Sequence, residues 1–331
     1  MDLDAYTAAH RDEWDRLAQL GKQSRFTGTE ADELIDRYQS GASQLSAIRS
    51  TAGESLQGER LSLHLSRARL RFTGTSSNVL SRMPDFFVRQ VPAALYRIRW
   101  LSLAVTIASV IVAVIYYLWM SSEPAVLKTL ADEAGLEQYA KEDFVNYYSE
   151  YSGTSFTASV WTNNAWLATQ CIAFGIIGVY TPYLIFSNAA SVGQMAAVMD
   201  KYDRLDVFFA FILPHGQLEL YSVFVAGAAG LSIFWSWISP GNKTRLQALA
   251  AGGRSLIIVA VGLTMALLLS GLVEGFVTRQ PWPVPVKIGI GTVALLSFLS
   301  YQWIVGGRAH RAGVTGDLDE FEGGATQLTA A

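Results

Sequence analysis

The sequence predicts an all-α, polytopic membrane protein with a helical cytosolic region at its N-terminal end. The first observation is composition: the 331 residues are 51% hydrophobic and 16% charged, where soluble domains carry about 25% charged residues. The second is a series of apolar runs of about 20 residues, each long enough to cross a bilayer as a helix. The third is the placement of charge. Residues 1–99 hold 14 of the 25 Lys and Arg and 12 of the 28 Asp and Glu, and most of the others lie in short loops between the apolar runs. A net charge of −3 gives no argument for nucleic acid, which needs a local basic patch.

Cys171, the one cysteine, sits in an apolar run and excludes an internal disulfide. The opening MDLDAYTAAH lacks the basic and apolar stretches of a cleavable signal, so the first membrane helix is expected to direct insertion.

Residues 2–99 read as helices. Thr29 with Asp32 resembles a capping box, and Leu34, Tyr38, Leu45 and Ile48 follow at near-helical spacing. A second helix is expected over Leu56–Phe72, with Leu61, Leu65 and Phe72 on one face. Residues 49–99 contain nine Arg, no Lys and three acids. Over residues 84–99, Phe87, Val91, Ala94, Leu95 and Ile98 form an apolar face. With Arg82, Arg89, Arg97 and Arg99 nearby, that face suits an amphipathic helix at an anionic membrane surface. A helical hairpin packed on the membrane domain satisfies the same pattern.

The transmembrane domain is expected over residues 100–305. A first span covers 100–120, with Arg97 and Arg99 at one end and Glu123 at the other; the positive-inside rule places the N-terminus in the cytosol. Residues 121–159 carry seven acids and two Lys and are expected outside, with one or two short helices. A second span over 166–187 returns inward, kinked near its inner end by Pro182. Residues 207–238 hold only two ionisable side chains, His215 and Glu219, and Pro214-His215-Gly216 interrupts them. A straight helix of that length measures about 48 Å. Since loop 239–254 carries Lys243, Arg245 and Arg254 and no acid, both ends of the segment should lie inside, which points to a broken, re-entrant helical hairpin. Spans over 256–277 and 286–305 follow, joined by a short Pro-rich outer loop, and residues 306–331 read as a cytosolic, disordered tail. The count is four full spans plus the hairpin; five full spans is the alternative.

Intramembrane ionisable groups are costly and point to function by default. His215 and Glu219 are four apart, on one helix face, and Glu274 can join them from another span. Three readings stay open: satisfaction of backbone groups freed at Pro214 and Gly216, a proton or solute site at a discontinuous helix, and a divalent metal held by His215 and Glu219 with Glu274. No cofactor is indicated beyond that weak metal signal. Asn163 and Asn164, at the mouth of the second span, can cap it or bond across helices. Gly175 and Gly178, Gly227 and Gly230, Gly271 and Gly275, and Gly289 allow close helix approach, either within the chain or at a homodimer seam. The chain contains no GxxxxGK[ST] loop, no HExxH and no GxGxxG after a strand, and no catalytic triad is legible from spacing, so an enzyme is the less favoured class.

Several of these residues resemble the stage II sporulation protein M family: Asn163-Asn164 before a span with Gly175 and Gly178, Asn188 through Gly193, Pro214-His215-Gly216 followed by Glu219, and Glu274-Gly275-Phe276. The similarity runs over about residues 85–305. At Asn188-Ala189 the family often has Asn-Gly, a departure at that turn. The resemblance implies an all-helical protein of the bacterial cytoplasmic membrane, without implying sporulation. Founding members act in septal wall remodelling, and relatives often lie beside genes for MoxR-type ATPases. The first functional expectation is therefore a non-enzymatic membrane scaffold of an envelope-remodelling complex, with the lipid bilayer, a second copy, other envelope proteins and a separate MoxR-type ATPase as partners. A transporter or permease component using the His/Glu cluster is the second, and a metal-dependent membrane enzyme the third.

Overall fold

The structure, a computed structural model, describes residues 3–23, 26–52, 55–72, 83–147 and 153–317; Arg82 and the last part of the tail lie outside them. They form two units, one ending at Met83 and one beginning at Pro84. All described regular structure is helical.

The first unit is three helices, α1 (Leu3–Leu20), α2 (Gly28–Ala52) and α3 (Leu56–Phe72). Each buries one stripe. Trp14, Leu17 and Leu20 from α1 meet Leu34 and Ile48 from α2 and Leu61, Leu65 and Ala68 from α3. Tyr38 and Leu45 pack against this core. The α2 capping box sits two residues earlier than the sequence suggested. Thr27 Oγ1 accepts from the Glu30 amide (3.3 Å), and Glu30 accepts from the Thr27 amide (2.9 Å), so the helix starts two residues sooner than a Thr29 cap allows.

The second unit begins with a π-helical turn, Phe86–Gln90, running into α4 (Val91–Arg97). Val91 through Leu95 are buried. Gln302 donates to the Leu95 carbonyl at 3.0 Å, and Tyr301 donates to that of Phe87. This apolar face is thus covered by the chain itself, and residues 84–99 group with the membrane helices rather than with the N-terminal ones. Then follow α5 (Arg99–Ser122), the short α6 (Pro124–Leu127), and α7, from Glu133–Gln138 through a π turn to Phe144–Tyr147. After α8 (Gly153–Ala173), α9 (Tyr180–Lys201) and α10 (Leu205–Ile238) come α11 (Arg245–Thr278) and α12 (Val284–Arg311).

Among the described residues, four helices, α5, α10, α11 and α12, are long and apolar enough to cross a membrane. Four is the expected number, but the membership differs. The second span over 166–187 is not one helix: the chain turns at 174–179 between α8 and α9. Gly175 lies against Gly230 of α10, where a Cβ on Gly175 would come within 2.6 Å of the Gly230 Cα. Tyr180 donates to Gln170 across the turn at 2.8 Å. Pro182 consequently falls in the first turn of α9, where its missing N–H costs nothing. The expected loop 188–205 is mostly α9. Lys201 lies at the opposite end from the one expected, 2.6 Å from Glu133 of α7.

Nor do residues 207–238 form a hairpin. They belong to one uninterrupted 34-residue helix with Pro214 inside it. Proline is tolerated in a membrane helix where neighbours satisfy the freed backbone. The carbonyl freed by Pro214 is that of Ala210, one turn back; beside it, Gln217 donates to the Leu213 carbonyl (3.0 Å) and Ser270 to the His215 carbonyl (2.9 Å), bonds that brace the neighbouring turns. The excess length is clothed by protein at the N-terminal end, where Phe208 and Phe211 pack on Phe144 of α7 at 6.0 and 6.2 Å.

α10 and α11 form the centre: 61% and 56% of their most apolar windows are buried, against 17% and 11% for α5 and α12, which present the outer apolar surface. Residues 97–99, 239–254 and 306–317 share one end. Arg97 reaches Ser255 and the Thr315 carbonyl, and Arg254 pairs with Asp317 at 2.6 Å. Trp100 and Trp303 meet edge to face at this end, with Arg99 stacked on Tyr96, as in an interfacial aromatic belt.

Candidate functional site

The site lies where α10 crosses α11, toward the end of the unit that carries α7. Two stripes at four-residue spacing face one another: His215 and Glu219 on α10, and Ser270, Glu274 and Thr278 on α11. The last turn of α11, Glu274–Thr278, is π-helical, a local widening frequent at functional sites. α12 closes in because Gly291 has no side chain; a Cβ there would drive into the Pro214 carbonyl. That crossing is pinned by Gln217, which donates to Thr292 Oγ1 at 3.1 Å.

His215 is 4% exposed and Glu274 2%. His215 Nε2 stands 3.5 Å from Glu274 Oε1, and its Nδ1 lies 3.3 Å from Thr278 Oγ1. Ser270 Oγ is 3.4 Å from Glu219 Oε2, besides its bond to the His215 carbonyl. The Asn164 side chain, from α8, is within hydrogen-bonding reach of Glu219. One donor atom from each of His215, Glu219 and Glu274 falls within 4.8 Å of the others. Glu274 Oε2 is buried with no hydrogen-bond partner. Among the described residues, neither carboxylate forms an ion pair with Lys or Arg.

The structure therefore brings together the three ionisable groups expected from sequence, and adds Asn164. Asn163 is exposed and takes no part in this cluster. Asn188, on α9, keeps a buried Oδ1 without a partner and is not one of the cluster's residues. Arg89 pairs with Asp85 at 3.3 Å in the turn before α4. Most of the expected glycines serve the chain's own packing, whereas Gly289 is exposed with open space beside it. Gly271 and Gly275 are buried, and Gly178 and Gly193 abut Phe234 and Ala113. A homodimer would need another surface than the Gly271–Gly275 face.

Sequence reasoning missed Ser270 and Thr278, although both lie on the Glu274 stripe, four residues to either side. It also missed Lys287, assigned to an outer loop. Lys287 is 6% exposed in the first turn of α12, donating to the Thr278 carbonyl at 3.0 Å with Phe211 beneath its amine. No spacing rule announces that contact.

Residues 4–74 match the model of a domain of unknown function (DUF8413). No curated protein and no solved structure matches the chain significantly. The model described as stage II sporulation protein M matches residues 102–279, over half of the chain, from α5 to just past Thr278, and so includes the whole His215–Glu219–Glu274 cluster. The protein belongs to the stage II sporulation protein M family.

Proposed function

We infer that this multi-pass membrane protein is a non-enzymatic assembly component of a bacterial envelope-remodelling complex, held in the cytoplasmic membrane. The observation that carries this reading is the division into two units. A three-helix bundle with its own core and no membrane-length apolar helix is joined to a membrane unit whose α5 and α12 leave most of their apolar surface uncovered. One unit is suited to soluble partners, a MoxR-type ATPase among them, and the other to lipid and membrane partners. The end bearing Arg97, Arg99, Lys243, Arg245 and Arg254 faces the cytosol on the positive-inside rule. In a Cys171→Ala background, a cysteine at position 243 labelled by an impermeant outside reagent would reverse that orientation.

The assembly role is tested by deleting residues 1–83. The truncated protein should still insert, yet lose the co-purifying proteins that full-length protein retains after cross-linking in native membranes. Full complementation of a deletion strain by residues 84–331 sinks the reading. The buried cluster favours a second reading, a permease component that moves a proton or small polar solute through α10 and α11. Uptake by vesicles containing the purified protein, abolished by Glu219→Gln, would decide for it.

A further inference from the structure

The geometry points to a divalent transition-metal site inside the membrane unit, with His215 Nε2 and carboxylate oxygens of Glu219 and Glu274 as ligands and Zn²⁺ as the ion that fits. It is independent of the assembly role, which needs no metal.

The hydrogen bonds around His215 orient its ring. Thr278 Oγ1 donates to the Val273 carbonyl at 3.4 Å, which leaves its oxygen to accept from His215 Nδ1–H at 3.3 Å. In that tautomer Nε2 carries a lone pair, and the lone pair faces Glu274 Oε1 at 3.5 Å. A positive centre between two such facing acceptors, a shared proton or a metal ion, stabilises them. A metal-bound histidine whose other nitrogen donates to a fixed oxygen has this arrangement.

Charge and spacing agree. With both carboxyls ionised, a neutral imidazole and two carboxylates sum to −2, which one divalent cation cancels; uncancelled charge at membrane depth is costly. Lys287 does not serve in its place: its amine donates to the Thr278 carbonyl at 3.0 Å and, among the described residues, pairs with neither carboxylate. Tetrahedral zinc with bonds of about 2.0–2.2 Å sets its ligand atoms about 3.3–3.6 Å apart. His215 Nε2 and Glu274 Oε1 already stand at 3.5 Å, and the three-donor set spans 4.8 Å at most, so a carboxylate rotation closes it. The unpartnered Glu274 Oε2 is the natural fourth ligand or the acceptor for a bound water. Glu219 is held from behind by Ser270 at 3.4 Å and by Asn164. One imidazole and two carboxylates favour zinc over magnesium, which prefers an all-oxygen shell and keeps its waters.

The experiment uses the full chain without a histidine tag, stripped with chelator, placed in lipid nanodiscs and titrated with Zn²⁺. The expected result is about one Zn²⁺ per chain by elemental analysis after gel filtration, with a raised melting temperature. Glu274→Gln should lose that ion. Thr278→Val, which keeps all three ligands and removes only the oxygen orienting His215, should bind about 10–100-fold more weakly. It keeps the test decisive should Glu274→Gln fail to fold. A folded wild-type protein that takes up no more Zn²⁺ than a buffer blank overturns the proposal. Zn²⁺ bound equally by wild type and Thr278→Val overturns it too, because the ion then sits elsewhere, for instance beside His10 and Glu13.

Discussion

The N-terminal bundle and the membrane unit treat polar groups in opposite ways. In the bundle, Trp14 Nε1 donates to Gln44 at 2.6 Å and Gln44 donates to Glu13 at 2.7 Å. The charged trio Arg16–Glu33–Arg37 is paired at 2.7 and 2.8 Å, with its side chains about one-third exposed. Water screens such pairs, so each contributes little. In the membrane unit, His215, Glu219 and Glu274 converge among hydroxyl and amide neighbours, and among the described residues neither carboxylate pairs with Lys or Arg. There the low dielectric makes every missing partner costly. The same residue types are stitching in one region and a site in the other, and the difference is solvent.

The largest expected effect is at the cluster. Glu219→Gln and Glu274→Gln should each abolish complementation of a deletion strain while leaving the protein level in membranes unchanged. Gln keeps the shape and one acceptor but removes the charge. The structure makes Glu274 at least as critical as Glu219, since it is nearly fully buried against His215. Full complementation by stable variants would erase the contrast, making the cluster stitching as well.

Packing changes should separate the units. Leu17→Ala opens a cavity in the bundle core and should cost about 2–5 kcal/mol of that unit's stability, read as faster proteolysis within residues 1–83 with the membrane unit intact. Gly291→Leu overpacks the α10–α12 crossing and should cost about 1–3 kcal/mol, lowering the detergent melting temperature without speeding cleavage of the bundle. Equal effects of both changes on both units would join what the contacts divide.

The smallest effect concerns acid. The hydrogen bonds from Arg16 and then Arg37 push the Glu33 carboxyl down to about 2. A lowered folded-state pKa stabilises above the ordinary value near 4.5, and the benefit disappears as pH falls from there toward 2. Loss of α1–α2 pairing should therefore occupy that window and shrink in high salt. Arg16→Ala should bring the Glu33 titration, followed by NMR, back toward the ordinary range.

Legibility varied by element. Leu56–Phe72 was readable to the residue because its apolar stripe and polar flanks are both local. α5 was readable from hydropathy and its flanking charge. α8 and α9 were not, since Gln170, Thr181 and Asn188 dilute their apolar content while the turn at 174–179 is itself apolar apart from its glycines. Proline misled at 214 because the contacts that hold the helix continuous around it, with Ser270 and Gly291 among them, come from residues far along the chain. Among the site residues, His215, Glu219 and Glu274 stood out as charges in apolar runs, whereas Ser270, Thr278 and Lys287 did not.

The sequence by itself determined helicity, membrane residence, the N-terminal helices and the identity of the costly charges, because hydrophobic periodicity and the expense of burying charge are properties of a residue and its near neighbours. Only the tertiary structure decided that α10 is continuous, that α8 and α9 form a pair, and that Glu274 faces His215 with Thr278 behind the ring. Those outcomes depend on which carbonyl meets which hydroxyl and where a glycine lets two backbones touch, and such contacts join residues as far apart in sequence as Pro214 and Gly291.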